Sequence, residues 1–152
     1  MELTLSGQDV QIDRNILQII TDALLHLVRN AVSHGLETTA QRRQAGKPVV
    51  GRLTLSALTE RDDVLIQVSD DGRGIDTEAV RRKAVERGLT TASAAANLSE
   101  REVWAFLFEP GFSMAQKVTD ISGRGVGLDV VKLALDSLGG QLRRERSKPH
   151  GR

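Results

Sequence analysis

Three observations predict a soluble α/β domain. Short runs in which apolar and polar residues alternate mark half-buried strands, while apolar residues recurring every three or four positions elsewhere mark amphipathic helices. A length of 152 residues suits one domain with a sizeable core. No apolar run reaches the ~18 residues that a membrane helix needs, so no membrane insertion is expected.

Taken in order, residues 3–5 and 10–12 alternate around Ser6-Gly7, which predicts a small hairpin. From Arg14 the period changes: Ile16, Ile20, Ala23 or Leu24, Leu27 and Ala31 form a helical stripe as far as Val32. A break near Thr21 would let Asp22 cap a second helix, since an N-cap aspartate accepts orphan amide hydrogens. Gly35 then ends the helix. Residues 36–50, charged and with one glycine and one proline, read as a connector holding a short helix.

Leu53, Leu55 and Ala57, then Val64, Ile66 and Val68, form an antiparallel hairpin turned at residues 60–63. A helix over about 77–87 follows, with Gly88 as its stop. Residues 89–98 are small and polar and read as a mobile loop. Ser99 with Glu102 makes a capping box for a helix running to Phe108. A last helix runs from about Val126 to Leu138 and closes at Gly139-Gly140. Residues 141–145 read as the start of a strand.

Composition excludes several functions. Lysine plus arginine is 21 against 20 acidic residues, so bulk charge offers nothing to nucleic acid. Aromatics are 3%, too few for a base-stacking platform. There is no cysteine, hence no disulfide and no thiolate metal site, in keeping with a cytoplasmic location. No secretory signal is visible at the N-terminus.

Four blocks carry the chemistry: HLVRNAVSHG (26–35), DDGRGID (70–76), FEPGFS (108–113) and GRGVGLD (123–129). His26, Asn30 and His34 fall four residues apart, within an arc of about 80° on a regular helix. An Asn oxygen suits Mg²⁺, which takes few protein ligands and keeps water and phosphate. A His one turn away can orient or polarise a reacting phosphate. Alone, the stripe reads equally well as a solvated helix face. In DDGRGID, Asp70 can accept from an exocyclic amine such as adenine's, and Gly72 and Gly74 admit close backbone approach. A plain turn explains the same letters. GRGVGLD places three alternate glycines before a helix, an anion site built of free amides and the helix dipole. It matches neither a dinucleotide fingerprint nor a Walker A loop. Pro110-Gly111 between two phenylalanines reads as a lid hinge or a packed turn.

Together, in order and spacing, these blocks resemble the N, G1, F and G2 boxes of the gyrase, Hsp90, histidine kinase and MutL ATPases. Within that superfamily, HLVRNAVSHGLE, RRQAGKPVVG, DDGRGID, FLFEPGFS and SGRGVGLDVV resemble the ATP-binding kinase domain of CheA-type histidine kinases. The resemblance covers essentially residues 1–152, as a single domain. It implies an α+β fold, a two-layer sandwich with a mixed sheet and helices on one face. It further implies ATP and Mg²⁺, with His26 catalytic and Asn30 the metal ligand. His34 and Lys83 then stand on the phosphate side, Asp70 reads adenine, and Gly72 and Gly74 lie beneath the base. Gly123, Arg124, Gly125, Val126, Gly127 and Leu128 cover the phosphates, in a lid running from about Gly88 to Ser122 and into the G2 box. Ser33 and Ala23 stand where relatives often have Asp and Pro, and Ala79 and Ala115 where some have basic groups. Relatives continue past Gly151 into a further sheet strand, so a C-terminally truncated domain lacking that strand is expected.

The implied reaction is transfer of the ATP γ-phosphoryl group to a histidine on a separate phosphoacceptor domain, of the same or a partner kinase chain. The setting is a two-component phosphorelay such as chemotaxis, with an adaptor and receptor array and a response regulator coupled indirectly. Alone, such a domain is expected to bind ATP and turn over slowly. Two alternatives stay open: a clamp-type ATPase of the superfamily, against which the His at position 26 counts, and a nucleotide-sensing module without catalysis.

Overall fold

A computed structural model describes residues 1–112 and 128–141, which divide between two compact units, Met1–Gly74 and the described part of Ile75–Leu142. It has helices and a mixed three-stranded sheet, the α+β class expected.

In the first unit β1 (Glu2–Ser6), β2 (Arg52–Glu60) and β3 (Asp63–Asp70) lie in the order β1-β2-β3. The expected β2–β3 hairpin is present, antiparallel with Leu53 opposite Asp70 and Glu60 opposite Asp63. Its tight turn puts Arg61 in the left-handed region, at φ 56°. The N-terminal hairpin is not formed. Residues 10–12 are not a strand, and β1 instead runs parallel to β2, with Leu3 opposite Leu53. Gly7 decides this: at φ 80° it turns the chain away, and a Cβ there would sit 1.8 Å from the Ala57 carbonyl oxygen.

α1 (Arg14–Asn30) lies against β3. It is one helix, not two. Its N-cap is Asp13, which accepts from the Asn15 amide at 2.8 Å, and Asp22 lies in its interior. No break occurs at Thr21, whose hydroxyl donates back to the Leu17 carbonyl at 2.6 Å and so needs no helix end. Ile20, Ala23 and His26 form its buried face, while Ile16, the first residue of the expected stripe, is exposed. Beyond Asn30 the chain widens into a π-helical turn, Ala31–Gly35, closed by the Leu36 amide on the Ala31 carbonyl at 2.8 Å. The short helix expected in the connector is α2 (Thr39–Gln44), opened by a Thr38–Gln41 capping box.

The second unit begins with α3 (Thr77–Glu86), capped by Asp76 and stopped at Gly88, φ 71°. Residues 89–98 were expected to be a loop, yet α4 (Ala92–Asn97) forms there because Thr91 caps it through the Ala94 amide and its alanines favour helix. The Ser99–Glu102 capping box opens α5 (Glu100–Ala105), and a 3₁₀ turn over Phe106–Phe108 completes the expected stretch. Val80, Ala84, Val103, Leu107 and Phe112 form the core. The upstream part of the expected lid is thus packed structure through Phe112. α6 (Leu128–Ser137) is the last helix, followed by Gly139 at φ 66°. Residues 113–127, with most of the G2 block, and 142–145 of the expected terminal strand lie outside the described residues. No helix among the described residues is long and apolar enough to cross a membrane.

Candidate functional site

Helix α1 brings two of its three polar-stripe residues together. Asn30 and His26 are one turn apart, and the Asn30 amide nitrogen lies 2.9 Å from His26 Nε2. An amide nitrogen only donates, so Nε2 accepts and the proton of a neutral ring sits on Nδ1. That commitment leaves Asn30 Oδ1 as the acceptor of the pair. His26 is buried and Asn30 half-buried, so the imidazole orients the amide from the core side. His34 lies beyond α1. It lies exposed in the π-helical turn.

The same turn meets the end of β3. A Cβ on Gly35 would stand 3.3 Å from Asp70 Oδ1, so the absent side chain lets the carboxylate lie against the backbone. Asp70 Oδ1 accepts the Gly72 amide at 3.0 Å, and the Arg73 amide donates to the Gly35 carbonyl at 2.9 Å. The two glycines of DDGRGID have separate reasons. At Gly72 a Cβ would come within 2.1 Å of the Gly35 carbonyl oxygen, a collision with backbone. Gly74 has open space but adopts φ 72°. The first need is internal packing, which the expectation of room for a flat base did not include.

Sequence reading missed the group that holds this loop. Arg42, with a side chain 1% exposed, donates from Nε to the Pro48 carbonyl at 2.6 Å and from NH2 to Asp71 Oδ2 at 2.7 Å. Its NH1 reaches Glu37 Oε2 at 3.2 Å and the Asp71 carbonyl at 3.3 Å. Lys47 Nζ donates to Glu37 Oε1 at 2.6 Å, the Gly72 carbonyl at 2.9 Å and the Asp71 carbonyl at 3.3 Å. Burial pushes both carboxyls up. The Lys47 bond at Glu37, and the Arg52 amide and Arg42 at Asp71, outweigh it, so both stay below the ordinary carboxylate range. The available signal was an acidic doublet, Asp70-Asp71, beside a basic connector whose charges a solvated surface does not require.

In the second unit Lys83 faces aromatic surface. Its Nζ lies 5.8 Å from the centroid of the Phe112 ring, and Arg87 Cζ lies 5.7 Å from the same ring. Burial, then the Arg87 charge, lowers the Lys83 ammonium from its ordinary value, with Glu86 partly restoring it. Arg87 also donates to the Gly111 carbonyl, while the Gly111 amide donates to Asp129 Oδ2 at 3.4 Å. The Pro110-Gly111 turn is exposed and tied by these two bonds, with Phe112 beside it buried. Leu128 packs against that core, whereas Gly123, Arg124, Gly125, Val126 and Gly127 lie outside the described residues.

Among the described residues no group of three or more His, Cys, Asp or Glu gathers as a metal cluster. A single amide oxygen, Asn30 Oδ1, fits Mg²⁺ well, because that ion keeps most of its shell for water and phosphate.

A family model described as histidine kinase-, DNA gyrase B-, and HSP90-like ATPase matches residues 18–152. The chain is 47% identical to the chemotaxis protein CheA of Halobacterium salinarum over 142 residues, 93% of the chain and 21% of that protein. It is 44% identical to the chemotaxis protein CheA of Bacillus subtilis, over 93% of the chain and 21% of that protein. To the gliding motility regulatory protein of Myxococcus xanthus it is 45% identical, over 93% of the chain and 18% of that protein. The chain thus spans about a fifth of the length of these relatives.

Proposed function

This chain belongs to the histidine kinase-, DNA gyrase B- and HSP90-like ATPases, and we propose that it is the ATP-binding catalytic domain of a CheA-like histidine kinase. In this reading it passes the γ-phosphoryl group of ATP to a histidine on a separate phosphoacceptor domain. The observation that carries the reading is the pairing of Asn30 with His26 at 2.9 Å on the helix whose closing turn, at Gly35, touches Asp70.

Phosphoryl transfer asks little covalent chemistry of a protein and much positioning and charge neutralisation. Asp70 accepts a hydrogen bond from the adenine amine, its carboxylate held by the Gly72 amide. Asn30 Oδ1 would hold Mg²⁺, which would supply charge neutralisation to the phosphates. His26 fixes the Asn30 amide through its nitrogen, and so acts on the reaction through Asn30 in addition to any contact with phosphate. His34 is the phosphate-side histidine at the helix end. Gly74 and Gly72 line the base. Lys83 and residues 123–128 retain the phosphate roles that the sequence resemblance implies for them. The acceptor imidazole is itself a competent nucleophile near neutral pH.

The partners in this reading are the phosphoacceptor domain directly, and an adaptor and receptor array and a response regulator at one remove. A cytoplasmic location goes with it, since ATP is drawn from that compartment. Radiolabelled ATP, Mg²⁺ and a CheA-type phosphoacceptor domain test the proposal together. Label on the acceptor, lost when its histidine is replaced, is the expected result. ATP binding with no transfer would leave a sensing module, and ATP hydrolysis without acceptor labelling would leave a clamp-type ATPase.

A further inference from the structure

We infer that Arg42 and Lys47 are positioning residues for base recognition, acting on Asp70 through the backbone and carboxylate of Asp71. The inference rests on the reading of Asp70 given above. It starts from how completely Asp71 is occupied. Its amide donates to the Arg52 carbonyl at 3.1 Å, and its Oδ1 accepts the Arg52 amide at 2.8 Å. Its Oδ2 accepts Arg42 NH2 at 2.7 Å, and its carbonyl accepts both Arg42 NH1 and Lys47 Nζ at 3.3 Å. The next carbonyl, of Gly72, is taken by Lys47 at 2.9 Å. Every polar atom of Asp71 is thus held from the segment between Glu37 and Arg52.

Asp70, its neighbour, has a different environment. Its carboxylate accepts the Gly72 amide, so the geometry of residues 71–72 sets where that carboxylate points. Asp70 is the last residue of β3 and Asp71 follows it, and here the second aspartate is the anchor while the first is left for a ligand. The choice of groups supports positioning over stability. A buried ion pair is a weak stabiliser compared with an apolar plug of similar volume. An apolar plug, however, cannot fix the direction of two carbonyls and a carboxylate. The planar Arg42 fork does so from a side chain 1% exposed, and Glu37 balances its charge at 3.2 Å.

The test compares ATP with inosine triphosphate, which carries a carbonyl where adenine has its amine, by calorimetry on the full chain. The unaltered protein should prefer ATP, and Asp70→Asn should reduce that preference about tenfold, the worth of a bond to a charged acceptor. Arg42→Met and Lys47→Met should each narrow the ATP-to-inosine-triphosphate ratio about threefold or more. Arg42→Lys should not restore it, because a point charge cannot replace the fork. Val103→Ala, a destabilising change in the second unit, should leave the ratio unchanged. Should Arg42→Met fail to fold, Lys47→Met decides, since that side chain is 32% exposed. If Asp70→Asn collapses the ratio and the folded Arg42 and Lys47 variants keep it, the positioning role is overturned and the reading of Asp70 stands. If the unaltered protein shows no preference, or Asp70→Asn keeps it, the reading of Asp70 falls and the inference with it.

Discussion

Replacing Gly72 with alanine puts a Cβ 2.1 Å from the Gly35 carbonyl oxygen and 2.8 Å from Asp70 Oδ1. Ordinary carbon–oxygen contact is about 3.3 Å, so the loop and the π-helical turn must part by roughly 1 Å. Neither side yields cheaply. The obstacle is backbone, and Lys47 holds the Gly72 carbonyl at 2.9 Å while the Arg73 amide holds Gly35 at 2.9 Å. Overpacking and one lengthened hydrogen bond together should cost about 2–4 kcal/mol. Because Asp70 accepts the Gly72 amide, ATP affinity should fall by about tenfold or more in the protein that remains folded. Gly74→Ala is the comparison. Nothing lies within 4 Å of its Cβ, so only the left-handed backbone, φ 72°, resists it, at about 1–2 kcal/mol. Urea unfolding and ATP calorimetry on both variants read the difference. A Gly72→Ala protein with the parental midpoint and affinity, or a Gly74→Ala protein more damaged on both measures, would refute the steric argument.

His26→Ala should leave ATP affinity within a few fold and cut phosphotransfer about 10- to 100-fold, the usual effect of losing a partner that orients a metal ligand. Asn30→Ala should lose Mg²⁺-dependent binding as well, and equal parental transfer rates in His26→Ala would remove that role. The folded-state carboxyls of Glu37 and Asp71 lie below their ordinary values of 4.5 and 3.8, so their contribution to stability is complete above those values. It is lost as pH falls below them through the depressed values. The stability gap between the unaltered protein and Arg42→Met should therefore narrow on acidification below about pH 4.5, and a gap constant from pH 7 to pH 3 would contradict the assignment. Phe112→Ala empties a site 2% exposed and should cost about 3–5 kcal/mol. The single tryptophan, Trp104, packs against that core and reports the loss by fluorescence in urea; an unchanged midpoint would place Phe112 outside the core.

What the sequence made legible were features whose cause is local. The β2–β3 hairpin follows from strict alternation across a short polar turn, α3 from the glycine after it, and α5 from its capping box. Not every local cause was read, since the Thr91 cap of α4 was passed over, and one error came where a distant residue decides. Residues 10–12 alternate as a strand should, but β1 finds a better partner in β2, some fifty residues on, and Gly7 packs on Ala57. Asp22 has the chemistry of an N-cap, yet an uninterrupted helix through Thr21 leaves nothing for it to cap.

The candidate site divides the same way. His26 and Asn30 were readable because a one-turn spacing on a regular helix is a local fact, and they meet at 2.9 Å. His34 was placed by the same arithmetic, but the helix opens into a π-helical turn before reaching it, and the residue is exposed there. That widening is itself explained by long-range contact: Gly35 must present its carbonyl to the Arg73 amide and its bare Cα to Asp70. A regular α-helical turn there would give up that alignment. Four residues that looked like ordinary surface charge, Glu37, Arg42, Lys47 and Asp71, then fix the far side of the loop. Charge pattern alone cannot reveal this, because a buried Arg and a solvated one are the same letter until the chain folds around it. Arg42 turns a polar connector into the support for Asp70, which is why a change at position 42 should be felt in base selectivity as well as in stability.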